Sequence, residues 1–195
     1  MNDTLTLAIR PQDRTNRIFR KVILAVTGSI ALTISAKISI PFYPVPMTMQ
    51  TLVVLLIGMA YGWKLGGATI LLYLAEGALG LPVFSGTPEK GIGIAYMMGG
   101  TGGYLLGFVI AASVAGYLAS LGWDRNPLKI ILAMLTGNIV IYVMGLLWLG
   151  ALFGWDKPIL DWGLKPFLFG DLVKIAIAAA LLPACWRWVE RSRGR

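Results

Sequence analysis

The chain contains no histidine and a single cysteine, Cys185. Without histidine there is no ordinary zinc set and no imidazole base to activate a nucleophile, and one cysteine forms neither an intrachain disulfide nor a thiolate metal cluster. Cys185 is read as packing filler or a lipid-facing residue. Charge is scarce as well: only 13% of the 195 residues are charged, against 57% hydrophobic, and the mean hydropathy is +0.74. A soluble domain of this size could not hide that much apolar surface from water, so lipid must be the main solvent. A soluble catalytic domain has no room to exist.

What charge there is leans positive, at +8 net. Nucleic acid is not the expected partner, because the basic residues flank apolar runs instead of forming a patch. Arg10, Arg14 and Arg17 ahead of an apolar run imitate the start of a secretory signal. The run from Phe19 to about Lys37 is longer than a signal core and other spans follow it, so a retained helix is expected.

Apolar spans at about 19 to 38, 48 to 61, 63 to 81, 101 to 122, 128 to 153 and 167 to 187 predict one all-α, polytopic membrane domain, 1–195, built as a six-transmembrane-helix bundle. Six spans put both termini on one side. Arg10, Arg14, Arg17, Arg20, Lys21, Lys64, Arg125, Lys129, Arg187, Arg191, Arg193 and Arg195 fall on that side, whereas Lys37, Lys90, Lys157 and Lys165 fall toward the other. The positive-inside bias then makes the termini cytoplasmic, with residues 1–18 as a cytoplasmic tail. The connections at 39–47, 82–100 and 154–166 face outward.

The second span is short, roughly 20 Å at ~1.5 Å per residue, and cannot cross a ~30 Å core alone. Thr48 can cap it, and Trp63 and Lys64 close its far turn. Pro41, Pro44 and Pro46 precede it, and non-helical backbone at membrane depth survives only beside protein or a water-lined cavity. A cavity wall is therefore expected at Pro41 to Thr48. In the fourth span Ala111, Ala115 and Ala119, with Ala112 and Gly116 beside them, make one flat face, which suits internal packing or a partner, with internal packing preferred.

Asp171 and Lys174 share one face near the outer end of the sixth span. Ionisable groups at membrane depth usually face a bundle interior, a partner or a ligand, so these two either contact a ligand or neutralise each other. The positive N-terminal end of the helix favours Asp171 but does not account for Lys174. At the outer end of the second span Thr48 reads first as a cap, and the Gln50 amide seeks a hydrogen-bond partner, from a ligand or from another helix. Glu76, deep in the third span, either pairs with Lys37 or lines the cavity. The run Gly99-Gly100-Thr101-Gly102-Gly103-Tyr104 opens the fourth span, and glycines there serve either turns and packing or the approach of an anion to backbone N–H groups.

Taken in order, Ile40-Pro41-Phe42-Tyr43-Pro44-Val45-Pro46-Met47-Thr48-Met49-Gln50-Thr51-Leu52, then Leu81-Pro82-Val83-Phe84-Ser85-Gly86, then Thr101-Gly102-Gly103-Tyr104, then Gly170-Asp171-Leu172-Val173-Lys174 resembles the BioY family from the first span to the last. These are biotin-specific S components of energy-coupling factor (ECF) transporters. The resemblance implies a bundle with an outward substrate pocket covered by loops, embedded in lipid of the bacterial cytoplasmic (inner) membrane. It also implies a transmembrane scaffold subunit and two ABC-type ATPase subunits as partners, with biotin as substrate and no cofactor. The chain has no Gly-x-x-x-x-Gly-Lys-[Ser/Thr] phosphate loop, so ATP is hydrolysed elsewhere and the chain is not an enzyme.

Carried onto matching positions, the resemblance makes Asp171 and Lys174 the polar anchors of the ligand head, since a ureido ring offers two N–H donors and one carbonyl acceptor. It makes Tyr43, Phe84 and Tyr104 apolar walls, and places Gln50, Thr48, Ser85, Gly86 and Thr101 at the site. Gly100 and Phe169 stand where the family often has proline. Leu105 stands where some members carry an arginine that could meet the ligand carboxylate. Lys90, or the backbone N–H groups of Gly102 and Gly103, is expected to meet that carboxylate instead. The rival readings are an S component for another vitamin, which should not share this set of motifs; a scaffold without ligand; and an intramembrane enzyme, for which a second facing acid is missing.

Overall fold

The computed structural model describes Leu5 and residues 17–193. The expected cytoplasmic tail, 1–18, thus lies outside the described residues apart from Leu5, Arg17 and Ile18. The described chain is helical almost throughout, with α1 at Arg17–Lys37, α2 at Gln50–Tyr61, α3 at Trp63–Ala78, α4 at Gly93–Met97, α5 at Gly102–Ser120, α6 at Pro127–Phe153, α7 at Ile159–Gly163 and α8 at Leu168–Arg193. A 3-10 turn, Lys165–Phe167, leads into α8. One feature has no counterpart in the sequence reading: β1, Ser39–Ile40, pairs antiparallel with β2, Met47–Thr48, with Ser39 opposite Thr48. This two-residue ladder supplies hydrogen-bond partners to backbone that the prolines keep out of a helix.

Every expected span has a helix at its position, but not every helix has the full length. Ile18–Lys37, Gly102–Ser120, Pro127–Phe153 and the stretch Ile159–Arg191 are long and apolar enough to cross a membrane. With 12 residues α2 reaches about 18 Å, and with 16 residues α3 reaches about 24 Å. Both fall short of a ~30 Å core.

Local chemistry sets the breaks. Gly62 alone joins α2 to α3 at φ 81°, a conformation that side chains with a Cβ avoid. At the start of α6 the Asn126 side chain accepts from Leu128 N at 2.9 Å and Lys129 N at 3.4 Å, and Pro127 occupies the first turn, where its missing N–H costs nothing.

Helix α5 is the centre of the bundle, packed against α6, α2 and α3. Its small-residue face is buried, with Ala111, Ala112 and Ala115 at 0% exposure. A Cβ on Gly116 would lie 2.5 Å from Trp63 N and 2.6 Å from Gly58 O, and one on Gly58 would overlap the Ala112 backbone. The stripe therefore serves internal packing of α5 against the α2–α3 hairpin and leaves no free face for a partner there. Large apolar side chains instead cover the outside, among them Ile34, Ile139, Leu172 and Trp188, as a lipid-solvated surface requires.

Because the long helices alternate in direction, the connections 38–49, 79–101 and 154–167 meet at one end. Lys37 ties two of these regions together: its Nζ donates to Phe84 O at 2.9 Å and to Thr87 O and Oγ1 at 3.0 Å each. Glu76 is not its partner, nor does it line the cavity described below. Its carboxylate accepts from Ser29 Oγ across α1 and α3, so neither alternative from the sequence holds for Glu76.

Candidate binding site

A cavity with about 540 Å³ of empty space, its open mouth included, lies at the end where the connections gather. Its deeper wall includes Phe108 of α5, Ile141 and Tyr142 of α6, and Asp171 and Lys174 of α8. Thr48, Gln50 and Thr51 approach from the start of α2. Val45, Pro46, Phe84, Ser85 and Tyr96 belong to the connections, Phe167 precedes α8, and Thr101, Tyr104 and Leu105 come from the start of α5. The expected cavity wall at Pro41 to Thr48 is thus met by its later half.

Asp171 and Lys174 are 4% and 5% exposed. Lys174 Nζ lies 2.9 Å from Asp171 Oδ1 and donates to Thr51 Oγ1 at 2.8 Å. Thr51 in turn donates to Asp171 Oδ1 at 3.3 Å, and the Tyr142 hydroxyl donates to Asp171 Oδ2. Placing two charges in an apolar interior is tolerable only with such geometry and such supporting bonds. The network is not saturated: an ammonium has three donors and two are used, while a carboxylate has roughly four acceptor positions and three are used. One donor position and one acceptor position are thus left over in a pair that lines an otherwise mainly apolar cavity. The two side chains neutralise each other, and both also line the cavity.

Gln50 is satisfied helix to helix. Its Nε2 donates to Tyr73 OH at 2.8 Å, and Tyr73 OH donates to Val83 O at 3.0 Å. Thr48 does not occupy the position next to the helix, which is Met49. It works one residue earlier, accepting from Gln50 N at 3.2 Å. The roof is aromatic: Phe84 stacks on Tyr96 with centroids 4.9 Å apart and meets Tyr73 edge-on at 5.4 Å. Tyr104 OH donates to Gly163 O at 2.8 Å, so a wall residue also pins α7.

Thr48, Gln50, Phe84, Ser85, Thr101, Tyr104, Asp171 and Lys174 are brought together around the cavity. Tyr43, Gly86, Lys90, Gly102 and Gly103 are not among its lining. Tyr43 is 83% exposed, and the Lys90 stem lies over Gly86 in the 79–92 connection. Gly102 N donates to Gly99 O at 3.1 Å; a Cβ at Gly102 would collide with Met97 O, and one at Gly103 with Trp148 and Met144 O. Gly103 therefore lets α5 approach α6 and Gly102 makes room for the end of α4, which is the packing reading. Sequence reasoning singled out neither Thr51 nor Tyr142 as a site residue. A signal existed for Tyr142, because a hydroxyl inside a long apolar run must find a partner. Thr51 sits inside the second-span motif, one residue beyond Gln50.

The model of the BioY family matches residues 5–191. The chain is 40% identical over 162 residues to the probable biotin transporter BioY of Pyrococcus horikoshii, covering 83% of this chain and 93% of that protein. It is 35% identical over 163 residues to the biotin transporter BioY of Thermotoga maritima, with coverage of 83% and 93%. Among solved structures it is similar to the S-component for biotin from an ECF-type ABC transporter, with a TM-score of 0.67, 25% identity, and coverage of 94% of this chain and 96% of the other.

Proposed function

The chain belongs to the BioY family, and from that premise we propose that it captures biotin as the substrate-binding membrane subunit of an ECF-type transporter. In this reading the six longer helices all lie in the bacterial inner membrane, both termini are cytoplasmic, and the cavity opens outward. A transmembrane scaffold subunit and two ATPase subunits supply the energy, and biotin is cargo, not a cofactor.

The observation that carries the reading is the unsaturated Asp171–Lys174 pair on the wall of a cavity roofed by Phe84 and Tyr96. A ureido ring presents an N–H beside a carbonyl, which complements the open acceptor position of Asp171 and the open donor of Lys174. Charge-assisted hydrogen bonds of this kind are roughly twice as strong as neutral ones. The apolar ring system then rests against Phe84, Tyr104 and Phe108, and Ser85 and Thr101 offer hydroxyls nearer the mouth. Lys90, exposed beside Gly86, is the basic group available to the carboxylate end. Once biotin is bound, the connections at 39–47 and 82–100 close over it and the partner complex reorients the subunit.

Equilibrium binding of biotin to the purified, detergent-solubilised chain tests this. The wild type is expected to bind tightly, and Asp171→Asn and Lys174→Met to lose at least a hundredfold in affinity, with helicity retained in both. No binding by a well-folded wild type would sink the biotin reading and leave a carrier of some other small solute.

A further inference from the structure

Asp171 and Lys174 are the only charged residues among the described residues that line the cavity. They compensate each other at 2.9 Å, and the ammonium is also held by Thr51, so the cavity is electrically neutral. The other polar lining residues, Thr51 and the hydroxyl-bearing Tyr142 included, carry no charge. The nearby cations stand elsewhere: Lys37 is committed to the oxygens of Phe84 and Thr87, and Lys90 is exposed on the connection. An isolated carboxylate buried in such a space would be far costlier than a neutral amide of the same shape.

Depth gives the direction. Phe108 and Lys174 lie roughly two turns inside the starts of their helices, whereas Val45, Pro46, Phe84 and Ser85 belong to the connections. A head group held at the pair therefore sends its tail toward the mouth.

We infer that the cavity selects its ligand by the uncharged ureido ring alone, and that the tail carboxylate stays at the mouth in contact with water. This rests on the biotin reading and names its ligand class: ureido-ring compounds whose tail ends in an acid, an amide or an ester. Lys90, being exposed, adds only a screened attraction for the acid.

The test is displacement of radiolabelled biotin from the purified full chain in detergent by unlabelled biotin, biotinamide and pentanamide. Biotinamide is expected to displace within tenfold of the biotin concentration, and pentanamide, a tail without the ring, to displace nothing. A loss of tenfold or more for biotinamide would overturn the inference while leaving biotin capture intact. Displacement by pentanamide would also overturn it, because the ring would then not be what is selected. Failure of unlabelled biotin to bind at all would instead remove the parent reading.

Discussion

Asp171 shows how far one side chain's environment departs from its sequence neighbours. It accepts from Lys174 of its own helix, from Thr51 of α2 and from Tyr142 of α6, so three elements converge on one carboxylate. Truncating either charged partner leaves the other buried and uncompensated. Lys174→Met is expected to cost about 3–5 kcal/mol of stability, and the double variant Lys174→Met with Asp171→Asn should regain much of that, read as thermal unfolding in detergent. If the two effects simply added, the pair would not be coupled.

At the far end of the bundle Asp124 is 2% exposed and accepts from Trp186 Nε1 at 2.8 Å. Burial raises its carboxyl above the usual carboxylate value, opposed by the Trp186 bond, its own backbone N–H and Arg125. A raised folded-state value means that its contribution to stability is present at low pH and is lost as pH rises from about 4 through that value. Asp124→Asn retains an acceptor for the indole and cannot ionise. It should therefore gain stability relative to wild type between pH 5 and 8, and a gain that shrinks with rising pH would contradict this.

Elements meet here through absences of side chain as much as through contacts. Gly58 and Gly116 allow α2 and α5 to touch backbone to backbone, and the short α2–α3 hairpin is seated by that approach. The connection that roofs the cavity is held differently, by the three hydrogen bonds from Lys37 at the end of α1. Lys37→Met should loosen residues 81–92, the lining residues Phe84 and Ser85 included, while Lys37 itself does not line the cavity. Amide hydrogen exchange in that connection is expected to accelerate, and biotin release to speed by roughly tenfold, the equivalent of about 1.4 kcal/mol. Unchanged exchange would mean that the connection is held by its aromatic packing instead.

For the molecule as a whole, orientation follows from where the basic residues lie. In a Cys185→Ala background, a cysteine placed at Lys157 is expected to react with an impermeant maleimide added outside intact cells, and one placed at Arg125 only in inverted vesicles. The opposite pattern would invert the topology and put the cavity on the cytoplasmic side.

Composition and hydropathy by themselves determined the solvent, the helical class and the place of each longer helix, because these follow from summed transfer energies and from local breaks such as Gly62 and Asn126-Pro127. Helical spacing alone also put Asp171 beside Lys174. Only the tertiary structure decided which hydroxyls complete that pair, that Glu76 turns to Ser29, that Lys37 turns to the roof, and that the alanine stripe of α5 faces inward. Thr51 and Asp171 are 120 residues apart in the chain. Which of many possible partners a buried polar group meets is set by how close-packed helices register against one another, and that register depends on the shapes of all the side chains between them.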